Sequence, residues 1–249
     1  MAESQLEDHD FGGNENHDFR RHPEPGFLSS EERGLQVKMP EVVYRAARMF
    51  ARALCLAYFR VRVDGSGYIP RAGAVIVAPV HRSFIDFLVV GATATKRKVF
   101  FMAKDDLWHS KLLGSVLEAF GAFPVNRSGA DRLALHRAQA VLENGDALIL
   151  FPEGTRRTGR KVEDLHEGAA FLAARSGALI VPVGIGGTSA AMPLGAKVPR
   201  PVKVHLVVGE PIIPPERNDK GRVPRHEIKA TTDELRGELQ RLYDLAEPA

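Results

Sequence analysis

Ala74-Val-Ile-Val-Ala78-Pro79-Val80-His81-Arg82-Ser83-Phe84-Ile85-Asp86 is the stretch on which the fold turns. Its first five residues form an uninterrupted apolar run, the mark of a strand buried on both faces. Helical patterning then takes over across Phe84–Thr93. The same exchange recurs down the chain: Val99–Met102 then Leu107–Phe120, Phe123–Val125 then Asp131–Leu142, Ala147–Phe151 then Leu165–Ser176, and Leu179–Val183. Short apolar runs alternating with longer helical stretches predict an α/β fold with parallel strand pairs. Lys203–Val208 adds a strand and Glu227–Leu245 a closing helix, whereas Met192–Pro201 and Pro211–Pro224 read as loops. The expected class is α/β: a mixed, largely parallel sheet flanked by helices, with an N-terminal amphipathic helical appendage.

Three segments are expected. Residues 1–38 are polar, rich in Gly, Asn and His and poor in aliphatics, and read as a disordered acidic leader. Residues 39–60 read as an amphipathic helix: Met39, Val42, Val43, Ala46, Met49, Phe50, Ala53, Leu54 and Ala57 share helical spacing, with Arg45, Arg48 and Arg52 on another face. Such a helix either packs on a core with solvated arginines, or lies in a bilayer interface with its arginines at the phosphates, which is the reading adopted for the segment. Residues 61–249 form the main domain.

With 249 residues, 44% apolar and 26% charged, the composition is that of an ordinary globular chain. The leader holds 9 acidic and 4 basic residues, so residues 39–249 carry 30 basic and 22 acidic residues, a surplus of +8 within an overall +3. That surface favours anionic partners. A single cysteine, Cys55, excludes an intrachain disulfide framework and a multi-cysteine metal centre, and fits a reducing cytoplasm. No signal-like segment opens the chain, and the longest uncharged run, Ser176–Ala196, is too rich in Gly and Pro for a membrane-spanning helix.

Several apparent motifs fail on inspection. Gly154-Thr-Arg-Arg-Thr-Gly159-Arg160-Lys161 imitates a phosphate-binding loop, but Arg160 stands where Lys is required and Lys161 where Ser or Thr would hold magnesium. Gly184-Ile-Gly186 follows a strand, yet Ser189 replaces the third glycine of a dinucleotide fingerprint. No G-x-S-x-G elbow occurs, and no nucleic-acid-binding module is recognisable, so no nucleic-acid partner is expected.

Chemistry is carried by the ends of the strands, where open α/β sheets place ligands. In a continuous helix, residues five apart lie about 140° from one another and do not meet. If the helix instead starts near Ser83 as N-cap, His81 lies in the entering loop and can fold back on Asp86. The pair then has the layout of a general base and its orienter. Gly121-Ala-Phe-Pro-Val-Asn-Arg127 ends another strand with an arginine, and Leu148-Ile-Leu-Phe-Pro-Glu153-Gly154-Thr155-Arg156-Arg157 ends a third with an acid, a glycine and two arginines. His, Asp, Glu and Arg gathered from several strand ends point to an anionic, hydroxyl-bearing substrate, arginine suiting the anion through its planar, two-pronged donor.

These residues resemble the glycerolipid acyltransferase family, in particular its 1-acyl-glycerol-3-phosphate acyltransferases. His81-Arg-Ser-Phe-Ile-Asp86 looks like the family's H-x-x-x-x-D block, Phe123-Pro-Val-Asn-Arg127 its second block, Phe151-Pro-Glu-Gly-Thr-Arg156 its third and Ile180-Val-Pro-Val-Gly184 its fourth. The resemblance spans roughly residues 60 to 210 and implies transfer of an acyl group from a thioester to the sn-2 hydroxyl of lysophosphatidate, giving phosphatidate. It implies His81 and Asp86 as catalytic residues, Arg127 and Arg156 on the acceptor phosphate, and Glu153, Gly154 and Thr155 around the acceptor. Pro182 would help wall the site. The oxyanion donors are not identifiable from the sequence; the backbone N–H groups at the helix start near Ser83 are the candidates. It implies acyl-CoA or acyl carrier protein as donor, a membrane surface as partner, no cofactor and no metal. The location implied is cytoplasmic, at the inner face of the cell membrane. Alternatives of the same fold are acylation of glycerol 3-phosphate or another lysophospholipid; a non-catalytic lipid-binding module is a third reading. The sequence departs from the family pattern at Val80, where Asn is frequent, at Arg157, where Ser is common, and at Leu165-His-Glu-Gly168, where a basic residue often precedes the glycine.

Overall fold

A computed structural model of the protein describes residues 41–125, 132–216 and 222–247, all within one compact unit. The chain runs α1 (Glu41–Tyr58), β1 (Arg62–Asp64), β2 (Val75–Pro79), α2 (Asp86–Val89), β3 (Val99–Lys104), α3 (Lys111–Ala119), β4 (Ala122–Val125), α4 (Arg132–Glu143), β5 (Ala147–Ile149), α5 (Gly168–Ser176), β6 (Leu179–Gly186), α6 (Thr188–Ala191), β7 (His205–Val208) and α7 (Arg225–Ala246). Helix α2 continues without a break into a wider π-helical turn, Val90–Ala94.

The described strands form one sheet in the order β1-β7-β6-β2-β5-β3-β4. All neighbours are parallel except β6 and β7. The mixed, largely parallel sheet expected from the alternating pattern is therefore present. β2 is central and all five of its residues are buried, which requires helices over both faces. Helices α4, α5 and α7 pack side by side, and α1 packs on α2.

Helix α7 comes unusually close to β6. A Cβ on Gly184 would lie 2.3 Å from the carbonyl of Leu242, and one on Gly186 only 1.9 Å from that of Ala246. The two glycines are thus a notch that lets Leu239, Leu242, Tyr243 and Ala246 reach the core, where all four are buried. Packing of α7 explains the Gly184-Ile-Gly186 pair.

Three features differ from the sequence reading. The helix after β2 begins at Asp86 and not at Ser83, whose hydroxyl donates to the Met192 carbonyl at 2.8 Å in place of capping. β6 runs on to Gly186, because its edge pairs with β7 from Val183 to Gly186. Strand β1 and the short α6 carried no periodic signal: β1 is three residues long, and pairing with β7 defines it.

Gly186→Ala is expected to overpack this contact, costing about 1–3 kcal/mol. For a chain of this size that lowers the melting temperature by roughly 3–10 °C. Gly67→Ala, which has nothing within 4 Å of its new methyl group, is the control and should leave the thermal midpoint in place.

Candidate active site

The loop from β2 to α2 is organised around one carboxylate. Asp86, fully buried at the first residue of α2, accepts at Oδ2 from the backbone N–H of Arg82 and of Ser83, each at 2.7 Å. The same oxygen meets Nδ1 of His81 at 3.0 Å. With a carboxylate as acceptor, Nδ1 carries the ring proton and Nε2 keeps its lone pair. The five-residue spacing works because His81 precedes the helix and the loop folds back over the helix start. The positive end of α2 also favours the aspartate charge there.

A second buried carboxylate holds the loop from behind. Glu153 accepts from the His81 backbone N–H at 3.0 Å and pairs with the Arg82 guanidinium at 2.7 Å, both side chains being essentially inaccessible to water. Arg82 also donates to the His81 carbonyl and to the Lys161 carbonyl, and its guanidinium lies 4.8 Å from the centre of the Tyr243 ring. Burial first, and the Glu247 carboxylate second, hold the Tyr243 phenol above the usual tyrosine range. The ring therefore faces Arg82 as a neutral aromatic surface.

The segment after β5 is fastened to the histidine from several sides. The Phe151 ring stacks on His81 with centroids 4.0 Å apart, and the Arg157 N–H donates to the His81 carbonyl at 2.9 Å. Between them Gly154 turns with φ +68°, and a Cβ there would meet the His166 ring at 2.6 Å; glycine answers both the conformation and the space. Beyond the turn Thr155 and Arg156 are exposed.

The structure thus brings His81, Asp86, Glu153 and Gly154 together, with Thr155 and Arg156 on the adjoining surface. Arg127 lies outside the described residues. Glu153, expected beside the acceptor, sits behind the histidine with its oxygens engaged by Arg82 and His81. Pro182 stands on β6 opposite Ala78 of β2, and its carbonyl accepts from Gly209. The expectation that N–H groups near Ser83 meet an oxyanion is corrected: those of Arg82 and Ser83 both point at Asp86. Arg157 is half-buried, and its buried Nε has no partner among the described residues.

Sequence reasoning missed Arg82, Phe151 and Tyr243. A charge set between His81 and Asp86, beside apolar neighbours, could have flagged Arg82. Tyr243 arrives from the last helix, and no local pattern announces it.

Fold and pair together define the class: an α/β enzyme whose strand ends carry a buried His–Asp pair. The chain belongs to the acyltransferase family, whose model matches residues 60–186. Among known proteins it is similar to the 1-acyl-sn-glycerol-3-phosphate acyltransferase of Bacillus subtilis (strain 168), with 28% identity over 183 residues, covering 73% of this chain and 87% of the relative. It is also similar to the 1-acyl-sn-glycerol-3-phosphate acyltransferase of Streptococcus pneumoniae, with 32% identity over 170 residues and coverage of 68% and 60%. The crystal structure of the 1-acyl-sn-glycerophosphate (LPA) acyltransferase PlsC from Thermotoga maritima superposes with a TM-score of 0.65 at 25% identity, covering 84% of this chain and 85% of that one.

Removing one partner of the Arg82–Glu153 pair leaves a buried charge without its counter-ion, which costs about 3–5 kcal/mol. Arg82→Met should therefore unfold at markedly lower denaturant than the parent. Arg82→Met/Glu153→Leu should recover much of that loss, read as the shift in urea midpoint. A double variant no better than the single one would mean that packing, not charge, dominates.

Proposed function

We propose that the protein transfers a fatty acyl group from an acyl thioester to the sn-2 hydroxyl of lysophosphatidate, forming phosphatidate. The observation that carries this reading is the buried His81–Asp86 pair, with Nε2 of His81 left as the free basic nitrogen. Family membership and the likeness to enzymes named for this acceptor support it.

The hydroxyl is a poor nucleophile until its proton is removed. Nε2 of His81 takes that proton as the oxygen attacks the thioester carbonyl, and Asp86 stabilises the imidazolium that forms. Collapse of the tetrahedral intermediate breaks the carbon–sulfur bond, and the departing thiolate recovers the proton from Nε2. No acyl group is attached to the enzyme. Arg127 and Arg156 take the acceptor phosphate. Thr155 lies beside Arg156 on the exposed turn, and Glu153 and Gly154 act through the shape of that turn. The donor is acyl-CoA or acyl carrier protein.

Both substrates and product carry long acyl chains, so the enzyme works at a bilayer, at the cytoplasmic face of the cell membrane. None of the described helices is long and apolar enough to cross a membrane, and attachment is peripheral through α1. On that helix Tyr44, Ala51 and Cys55 face the core, whereas Val42, Met49 and Phe50 are more than 70% exposed and Val43 and Leu54 more than 40%. Arg48 and Arg52 lie between these two stripes and bond the Thr95 and Thr93 carbonyls. This support differs from a helix whose apolar stripe packs inward over solvated arginines: the stripe faces out, and the two arginines are anchored.

Two experiments test the proposal. With acyl-CoA as donor, lysophosphatidate should be acylated in preference to glycerol 3-phosphate and lysophosphatidylcholine. His81→Ala and Asp86→Asn should each lose on the order of 10²–10⁴-fold in turnover while keeping the parent's circular dichroism. Undiminished turnover by a folded His81→Ala protein would refute the base. For the helix, Met49→Ser/Phe50→Ser should weaken vesicle binding at least about tenfold, since each buried apolar side chain contributes about 1.5–3 kcal/mol. Flotation equal to the parent would remove α1 from the membrane.

A further inference from the structure

A second basic feature lies apart from the histidine. Between α1 and the turn Thr93–Lys98 there is a cavity of about 770 Å³. Its lining carries Arg45, Arg48, Arg52, Lys96, Arg97 and Lys98, and among the described residues no Asp or Glu lines it. Met49, Leu56, Val61 and Val63 form an apolar side of the same cavity. Arg48, Arg52, Lys96, Arg97 and Lys98 around one concavity, with no described carboxylate in its lining, favour an anion there.

The cations are held in place. Arg48 donates to the carbonyl and the hydroxyl of Thr95, and its buried Nε has no partner. Arg52 donates to the Thr93 carbonyl at 3.2 Å. Arg97 is engaged by the Pro70, Gly73 and Gly145 carbonyls, and the Lys98 ammonium lies 4.8 Å from the Phe100 ring centre. Burial, with a smaller contribution from nearby Arg52, pulls the Arg48 guanidinium below the usual arginine range.

This is not where the acceptor phosphate sits during acyl transfer. Val99, next to Lys98, is level with Val75 through their common partner Ala147. His81 lies beyond Pro79, the other end of β2. Four strand steps, about 13 Å at 3.3 Å per residue, already separate the two levels, and no residue lining the cavity belongs to the His81 site. A glycerol unit places its phosphate and hydroxyl only a few bonds apart.

We infer that this cavity binds the phosphate headgroup of an anionic membrane phospholipid, with the acyl chains leaving along Met49 and the exposed apolar stripe of α1. The inference rests on the proposed contact of α1 with the bilayer, and adds that the contact selects lipid charge. The apolar side of the cavity favours a lipid over a free phosphate. Arg45 and Lys96, both exposed, form its rim.

The test uses the full chain and vesicles of phosphatidylcholine alone or with added phosphatidate or phosphatidylglycerol. The parent should bind anionic vesicles about tenfold or more tightly than neutral ones at moderate salt, two cations near the surface being sufficient for that. Arg45→Gln/Lys96→Gln should lose most of that preference and keep the parent's weak binding to neutral vesicles, with activity on a dispersed short-chain acceptor unaltered. Arg225→Gln/Lys229→Gln, on α7, should keep the preference. Met49→Ser/Phe50→Ser separates the two ideas, because it should weaken binding to neutral and anionic vesicles alike. The headgroup site is overturned if the rim variant keeps its anionic preference, or if the α7 control loses as much. It is overturned as a lipid site if millimolar inorganic phosphate displaces the protein from anionic vesicles at constant ionic strength.

Discussion

Three donors converge on one oxygen of Asp86, and the rest of the site follows from that convergence. A buried carboxylate is tolerated only when it is hydrogen-bonded or paired. Here the N–H groups of Arg82 and Ser83 and the ring of His81 meet that requirement together. Since the same oxygen serves the backbone and the imidazole, the loop cannot relax without moving the histidine. Orientation of the imidazole is thus built into the turn that ends β2.

Glu153 extends the constraint across the sheet. It ties the segment after β5 to the loop after β2 through Arg82 and the His81 N–H, while Phe151 stacks on the ring and Arg157 holds the His81 carbonyl. β2 and β5 are direct neighbours, so two strand ends supply both sides of the histidine. Tyr243 adds an aromatic surface from α7, a helix seated by the glycine notch in β6. Fold packing and the positioning of the His81 ring share these contacts.

The alternation of apolar runs with helical stretches was enough to read the sheet, because buried parallel strands leave unbroken apolar segments. The ordering of the edge was not readable: β1 is three residues long and defined by its pairing with β7, and β7, legible as a strand, carries no local sign that it lies between β1 and β6. His81 and Asp86 were legible from spacing once the helix was taken to begin after the histidine. The start itself fell three residues later than Ser83, since the Asp86 carboxylate, and not the serine hydroxyl, collects the loop's N–H groups. Glu153 was legible as a site residue but not as the partner of Arg82, because no local pattern records a contact between residues so far apart in the chain.

One helix links the chemistry to the proposed membrane surface. Asp86 opens α2, and the π-helical continuation ends at Ala94, beside the Thr93 and Thr95 carbonyls that receive Arg52 and Arg48 of α1. Gly91 of that helix lies beside Val99 and Ile149 of the sheet. The π turn ends at these carbonyls, which accept from the two arginines. With Tyr44, Ala51 and Cys55 in the core and Arg48 and Arg52 on the Thr95 and Thr93 carbonyls, α1 is held from one side, and its stripe of Val42, Met49 and Phe50 faces outward. The position of α1, and with it the basic cavity, therefore depends on the same short helix that carries the aspartate of the His81–Asp86 pair.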